Sequence, residues 1–462
     1  MKLSRREVLK LSAALPFLGQ AQAEALPVLD IVSRVLEVKG KAAKVFGIIG
    51  PEGKPGLSLV YGQPFRALLR NRLSEATAIH WHGLTPPVAF DGVPMLVGEP
   101  LAAGESRTYD FVNKKTGTHW MHSHLGLQEQ QLLAAPLIVH ETEKPVFDDQ
   151  EHVVMLHDFT FRDSAEILAE LKSGGGGHAA HMKMDGMTMG GMAMGADIKY
   201  DALLANDRTL NDPEIVNVEK GGRLRLRLIN AASATNMWVE LGALKGLLIA
   251  VDGNAVKPIS IQRFPLAIAQ RADVRITLPN ESGAWPIVFQ SEGDTLRGGI
   301  VLKAGAATVA KLSNQGKAGA ALDLTFEATL RVPYPLHKSK LEQHETVRLT
   351  GGDDHYEWGF NGRPMMHDLL FKVKHGTRVE VTMRNETTMA HPMHLHGHYF
   401  QVTEINGVAV DGAQRDTVLV PSGAQVRVQF EADNPGLWAF HCHHLYHMNS
   451  GMMAAMGYQG VA

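Results

Sequence analysis

Residues 376–397 read GTRVEVTMRNETTMAHPMHLHG. From Arg378 to Met383 apolar and polar residues alternate with the period of two that marks a half-buried strand. Asn385 follows Gly376 by nine residues, and Gly397 follows Asn385 by twelve. The same offsets join Gly62, Asn71 and Gly83, the last of these in His80-Trp81-His82-Gly83. They recur at Gly221, Asn230 and Gly242, where the final block is Val239-Glu240-Leu241-Gly242. The asparagines are 159 and 155 residues apart, so the chain reads as three related domains.

A second block keeps step with the first. Gly117 precedes His122-Ser123-His124 by five residues, and Gly436 precedes His441-Cys442-His443 by five. In the middle repeat Gly283 precedes Val288-Phe289-Gln290 by five. The outer repeats thus carry histidine pairs where the middle one carries none. Short apolar runs punctuated by Gly, Pro, Asn and Asp, another being Arg223 to Ile229, predict a mostly β chain of sandwich or barrel domains. The predicted divisions are 24–145, 146–312 and 320–462, with a Gly- and Met-rich loop over 173–195 interrupting the second.

Composition narrows the function. A net charge of −3 over 462 residues, without a basic stripe, argues against nucleic acid or a strongly anionic surface as partner. Residues 1–23 combine Arg5-Arg6, a short apolar run and Ala21-Gln22-Ala23, the pattern of a signal peptide. The SRREVLK stretch resembles a twin-arginine signal, so the twin-arginine export machinery is the expected partner and the periplasm the expected location. The apolar run is too short to span a bilayer. Cys442 is the single cysteine, which leaves no internal disulfide and calls for another role.

Histidine spacing supplies that role. Residues two apart on a strand share a face, so the pairs His80/His82, His122/His124, His394/His396 and His441/His443 each present two imidazoles together. Imidazole suits copper, zinc, iron and nickel alike. Cys442, between His441 and His443, points its sulfur to the opposite face. His447 lies five residues on, Met452 ten, with Met453 beside it, and His391 lies upstream. One thiolate, two imidazoles and a thioether form a blue-copper ligand set. One lone histidine is most often a core residue; four pairs together with this cysteine are not.

On these residues the chain resembles the multicopper oxidase family along nearly its whole length. The resemblance implies three cupredoxin-like Greek-key β-barrel or sandwich domains and four copper ions. His391, Cys442, His447 and axial Met452 match the type 1 ligands, and His80 and His394 the type 2 ligands. His82, His122, His124, His396, His441 and His443 match the type 3 pair. The implied reaction oxidises a reducing substrate by single electrons at the type 1 copper and reduces O2 to water at the trinuclear cluster, the electrons passing from Cys442 to His441 and His443. Asp91 matches an acidic residue the family places near the cluster and is expected to assist proton delivery. Met448 and Asn449 stand where the family often has a further acid.

Residues 178–194, HAAHMKMDGMTMGGMAM, hold six methionines. Thioethers favour Cu(I), so the expected substrate is cuprous ion, with extra labile Cu(I) on this loop and a part in copper tolerance. Met389, two residues before His391, matches a family position near substrate copper. Phenols, as for a laccase, form the sibling reading. A copper-storage or delivery protein without turnover, a copper nitrite reductase and a zinc hydrolase are the competing classes. Zinc would give Cys442 and Met452 no use. A monomer is expected.

Overall fold

The computed structural model describes residues 26–460 except 95, 144–148, 175–196, 337–338, 353–354 and 366–367. The signal segment, the boundary at Pro145 and the Met-rich stretch beyond Gly174 lie outside the described residues.

The chain folds as three consecutive cupredoxin-like domains whose regular structure is nearly all β, and one wiring scheme is used three times. In each domain the first strand lies parallel to the strand that ends in the repeated asparagine: Val28–Val38 with Pro64–Asn71, Gln150–Phe159 with Arg223–Asn230, and Leu341–Gly351 with Arg378–Asn385. In each second sheet another parallel pair recurs: Leu57–Val60 with Ala134–His140, Glu214–Asn217 with Arg297–Ala304, and Leu369–Val373 with Met453–Tyr458. Parallel neighbours require crossover connections, so the two sheets of each domain are laced together.

The asparagine has a physical reason to recur. Asn71 donates from Nδ2 to the carbonyls of Glu75, Leu101 and Ala102, and its Oδ1 accepts from the Leu73 amide. Asn230 bonds Thr235, Leu266 and Ala232 in the same way, and Asn385 bonds Met389, Val420 and Thr387. All three are buried. Each side chain satisfies backbone groups of the loop leaving its strand, and that loop delivers position 80, 239 or 394 nine residues later.

Those positions begin the site-bearing hairpins. Ile79–His80 pairs with Gly117–Ser123, placing His80 opposite His122. His391–Leu395 pairs with Leu437–Cys442, placing His394 opposite His441 and Met393 opposite Cys442. In the middle domain Met237–Glu240 pairs with Gly283–Ser291, and buried Val239 meets Phe289. The expectation that each pair lies wholly on a strand needs one correction. His80, His122, His394 and His441 are on strands, whereas His82, His124, His396 and His443 fall just beyond the strand ends. The imidazoles therefore gather at the ends of the sheets.

Gly83 and Gly397 turn the chain away there, at φ +89° and +67°. A Cβ on Gly83 would lie 2.4 Å from Arg271 Nη2, and one on Gly397 would lie 2.5 Å from the Trp438 ring. Both the dihedral and the space demand glycine. One apolar core runs through the second and third domains, and a separate one fills the first.

Candidate metal centre

The eight paired imidazoles converge between the first and third domains, none more than 8% exposed. Oxygens that can only accept hold several outer ring nitrogens. Nδ1–H donates to the Asp91 carbonyl from His80 (3.0 Å), to the Asp416 carbonyl from His394 (2.8 Å), to the Ser123 carbonyl from His122 (3.1 Å) and to the Cys442 carbonyl from His441 (2.9 Å). His396 Nδ1 lies 2.9 Å from Asp91 Oδ2. This fixes the tautomer and leaves the Nε2 lone pair facing inward. His82 is reversed, with Nε2 3.1 Å from Asp416 Oδ1 and Nδ1 inward.

A metal fits this donor set. The buried inward nitrogens of His80, His82, His122, His394 and His443 have no hydrogen-bond partner. His396 Nε2 and His441 Nε2 stand 3.0 Å apart, with His124 Nε2 3.4 Å from the latter. Lone pairs that close repel unless a cation lies between them. Burial is the first cause that holds His82, His122, His124, His394, His396 and His443 well below the ordinary histidine range, and the neighbouring imidazoles add to it. Neutral rings are what metal ligation requires. The donor atoms of His80, His82 and His122, of His80, His394 and His396, and of His124, His396 and His441 each lie within 4.8 Å of one another.

The second site lies on the other face of the Cys442 strand. Cys442 Sγ is 3.5 Å from His391 Nδ1 and 3.8 Å from His447 Nδ1, and all three residues are fully buried. Burial pushes the metal-free thiol up, so it is protonated until a cation replaces the proton. Met452 is buried beside them, its carbonyl accepting from the Cys442 amide at 3.1 Å. Met453 stands opposite His441 across the ladder and lines a cavity on the histidine side.

Asp91 is 1% exposed and touches both outer domains' ligands: besides the His396 contact, its Oδ1 lies 3.2 Å from His80 Nδ1. Other residues of the site carried no sequence signal. Thr387 Oγ1 is 2.8 Å from His391 Nε2. Asp197, the first described residue after the Met-rich stretch, has a fully buried side chain; its carboxylate lies 3.5 Å from His447 Nε2 and 3.2 Å from His444 Nε2, and it accepts from the Tyr356 hydroxyl. Burial raises this carboxyl, but His444 and His447 outweigh that and hold it well below the usual range. His444 stacks on His447 at 3.7 Å. Asp416 is gripped by Arg271 of the middle domain, 2.7 Å from Nη1 to Oδ1. The Asp197 and Asp416 contacts join residues distant in sequence, where spacing says nothing, while Thr387 and His444 lie within four residues of the histidines they touch.

Two cavities reach the sites. One of about 560 Å³ is lined by Pro94, Leu96, His124, Met448, Asn449 and Met453, and so opens onto the histidine cluster. Another of about 200 Å³ is lined by Asn236, Glu292, Met389, Ala390 and His444, beside the cysteine site.

Three multicopper oxidase family models match the chain, over residues 32–144, 150–315 and 339–459. The multicopper oxidase MmcO of Mycobacterium tuberculosis is 29% identical, the match covering 87% of this chain and 81% of that protein. A copper resistance protein A homolog of Pseudomonas syringae pv. tomato is 27% identical over 92% of this chain and 90% of its own length. Among solved structures, Fet3p, a multicopper oxidase that functions in iron import, superposes with a TM-score of 0.77 at 19% identity, covering 94% of this chain and 90% of that one.

Proposed function

The chain belongs to the multicopper oxidase family, and from that footing we propose that it is an exported cuprous oxidase serving copper tolerance. His391, Cys442, His447 and Met452 would hold a type 1 copper, and His80 with His394 a type 2 copper. The type 3 pair would rest on His82, His122, His124, His396, His441 and His443. Bound copper supplies one-electron oxidation of the reductant at the first site and four-electron reduction of O2 to water at the second.

One observation carries the reading. Cys442 faces His391 and His447, while the residues on either side of it, His441 and His443, belong to the other cluster. A storage protein has no use for a covalent bridge of one residue between two sites, and fewer histidines would serve a nitrite reductase. Asp91 would orient His80 and His396 and assist proton delivery to the cluster. The cavity at His124 gives O2 a route in, and burial of the ligands excludes bulk water.

Cuprous ion is favoured by the six methionines of residues 178–194, and Asp197, three residues further along the chain, lies against His447. Copper caught by residues 178–194, as additional labile Cu(I), would be released beside a buried carboxylate and the outer edge of a type 1 ligand. An organic reductant such as a phenol would instead enter the cavity at Met389 and His444. Among the described residues no helix is long and apolar enough to cross a membrane. Twin-arginine export, a periplasmic location and a monomeric state complete the proposal.

The test measures copper per chain, then O2 uptake with Cu(I) and with a phenol, in the intact protein and in a variant lacking 178–194. Four coppers and selective loss of Cu(I) oxidation are expected. Parallel losses would point to a laccase, and copper-loaded protein that consumes no O2 would point to storage.

A further inference from the structure

Glu129 is 3% exposed, yet no part of the chemistry described so far uses it. Its Oε2 lies 3.0 Å from Nδ1 of His122, whose N–H it shares with the Ser123 carbonyl, and its Oε1 makes a longer electrostatic contact, 3.8 Å, with Nδ1 of His443. One of these rings comes from the first domain and the other from the third. Both turn an Nε2 without a protein partner toward the cluster.

The backbone around Glu129 is held from both sides. Gln128 accepts from the hydroxyls of Thr77 and Ser123, each at 2.8 Å, and donates to Glu75 and to the Ala76 carbonyl. Gln130 accepts from Tyr200 and Ser233 of the middle domain and from Tyr446 of the third. The short 3-10 helix Gln128–Gln131 is thereby pinned to all three domains, with the Glu129 carboxylate aimed at the two ligands. A rigidly supported acceptor on the outer nitrogen of a ligating imidazole fixes ring orientation and strengthens the inner donor.

We propose that Glu129 is a positioning residue for the trinuclear centre, a single carboxylate that sets His122 and His443 together and so fixes the distance between the two outer domains' ligands. The proposal rests on the reading that these histidines hold the type 3 pair. It assigns Glu129 no contact with O2 or with the reductant.

The experiment compares copper-loaded wild type, Glu129→Gln and Glu129→Leu by chelator titration, counting copper per chain and electron paramagnetic resonance spins. The blue thiolate band of the Cys442 site serves as internal reference for the fold. Glu129→Leu is expected to keep the blue band while cluster copper dissociates about 10- to 100-fold more readily. The spin count per retained copper should rise as the paired, spin-silent coppers uncouple. Gln offers one acceptor oxygen, so Glu129→Gln should fall between the two. Unchanged copper retention and spin count in a blue Glu129→Leu protein would overturn the proposal. Should Glu129→Leu lose its blue band, the near-isosteric Gln variant decides by the same criteria. A wild type lacking the spin-silent pair would instead refute the ligand assignment beneath it.

Discussion

Asp197 Oδ2 lies 3.5 Å from Nε2 of His447, whose Nδ1 faces Cys442 Sγ at 3.8 Å. A middle-domain carboxylate thus sits one imidazole away from the thiolate site, with the Tyr356 hydroxyl on the same group. Negative charge there favours the oxidised, more cationic state of a metal held by His447, and it attracts a cationic reductant. Asp197→Asn should therefore raise the potential of the type 1 copper. It should also lower kcat/KM for Cu(I) by about tenfold, the effect of losing ~1.4 kcal/mol of transition-state interaction. Oxidation of a neutral phenol should fall less. Redox titration and steady-state kinetics check this, and equal rates for both reductants in both proteins would contradict it.

Arg271 ties the middle domain to the cluster. Its guanidinium is fully buried, bonds Asp416 through both terminal nitrogens, and donates to the carbonyls of Thr118 and Ala269. Asp416 in turn touches His82, and its carbonyl accepts from His394. Truncating one partner of such a pair leaves an uncompensated buried charge, at a cost of about 3–5 kcal/mol. Arg271→Ala should lower unfolding stability by that amount in denaturant melts and loosen cluster copper before type 1 copper. Lysine cannot reproduce the forked geometry, so Arg271→Lys should recover only part.

Much of this was legible in the sequence, for reasons the structure makes plain. Asn71, Asn230 and Asn385 recur because each closes the same loop with the same side-chain bonds. The histidine pairs were visible because a two-residue offset brings ring nitrogens together at a strand end. Asp91, nine residues after His82, is picked out by its match to an acidic position of the family rather than by spacing alone. Asp197, Asp416 and Glu129 could not be read in this way. They act on histidines through contacts between domains or across loops, and each alone is an ordinary polar residue in its segment.

Gly83 offers a sharper check on the motif. Any Cβ there meets both Arg271 and His119, at 2.4 and 2.6 Å, and φ is +89°. Backbone strain of this kind costs about 1–3 kcal/mol, and the collision falls on the Arg271–Asp416 pair. Gly83→Ala should therefore lose cluster copper while keeping the blue band of the distant Cys442 site. Copper counts with visible spectra decide it; equal loss of both centres would argue for general misfolding.

Removing copper should destabilise the protein by an amount that depends on free metal. The metal-free cluster holds inward lone pairs 3.0 Å apart and five buried ring nitrogens without partners. A ligand that binds only the native state stabilises by RT ln(1 + [L]/Kd), about 2.7 kcal/mol at a hundredfold excess over Kd. Thermal melts after chelation should shift down and return on reloading with copper, whereas zinc should restore stability without the blue band.

Asp91 bridges ligands of both outer domains, 2.9 Å from His396 Nδ1 and 3.2 Å from His80 Nδ1. Orientation and proton supply are separable by choice of side chain. In Asp91→Asn the amide oxygen can still accept one imidazole N–H, but the group can no longer carry a proton. Copper content and the rate of type 1 reduction by substrate should then stay close to wild type, while O2 consumption slows by about 10²- to 10⁴-fold, the usual scale for losing a general acid–base group. Asp91→Ala should lose cluster copper as well, because neither ring is then held. Stopped-flow reduction and reoxidation measured separately distinguish the two. If Asp91→Asn reoxidised at the wild-type rate across the pH range, the carboxylate would be an orienting group only.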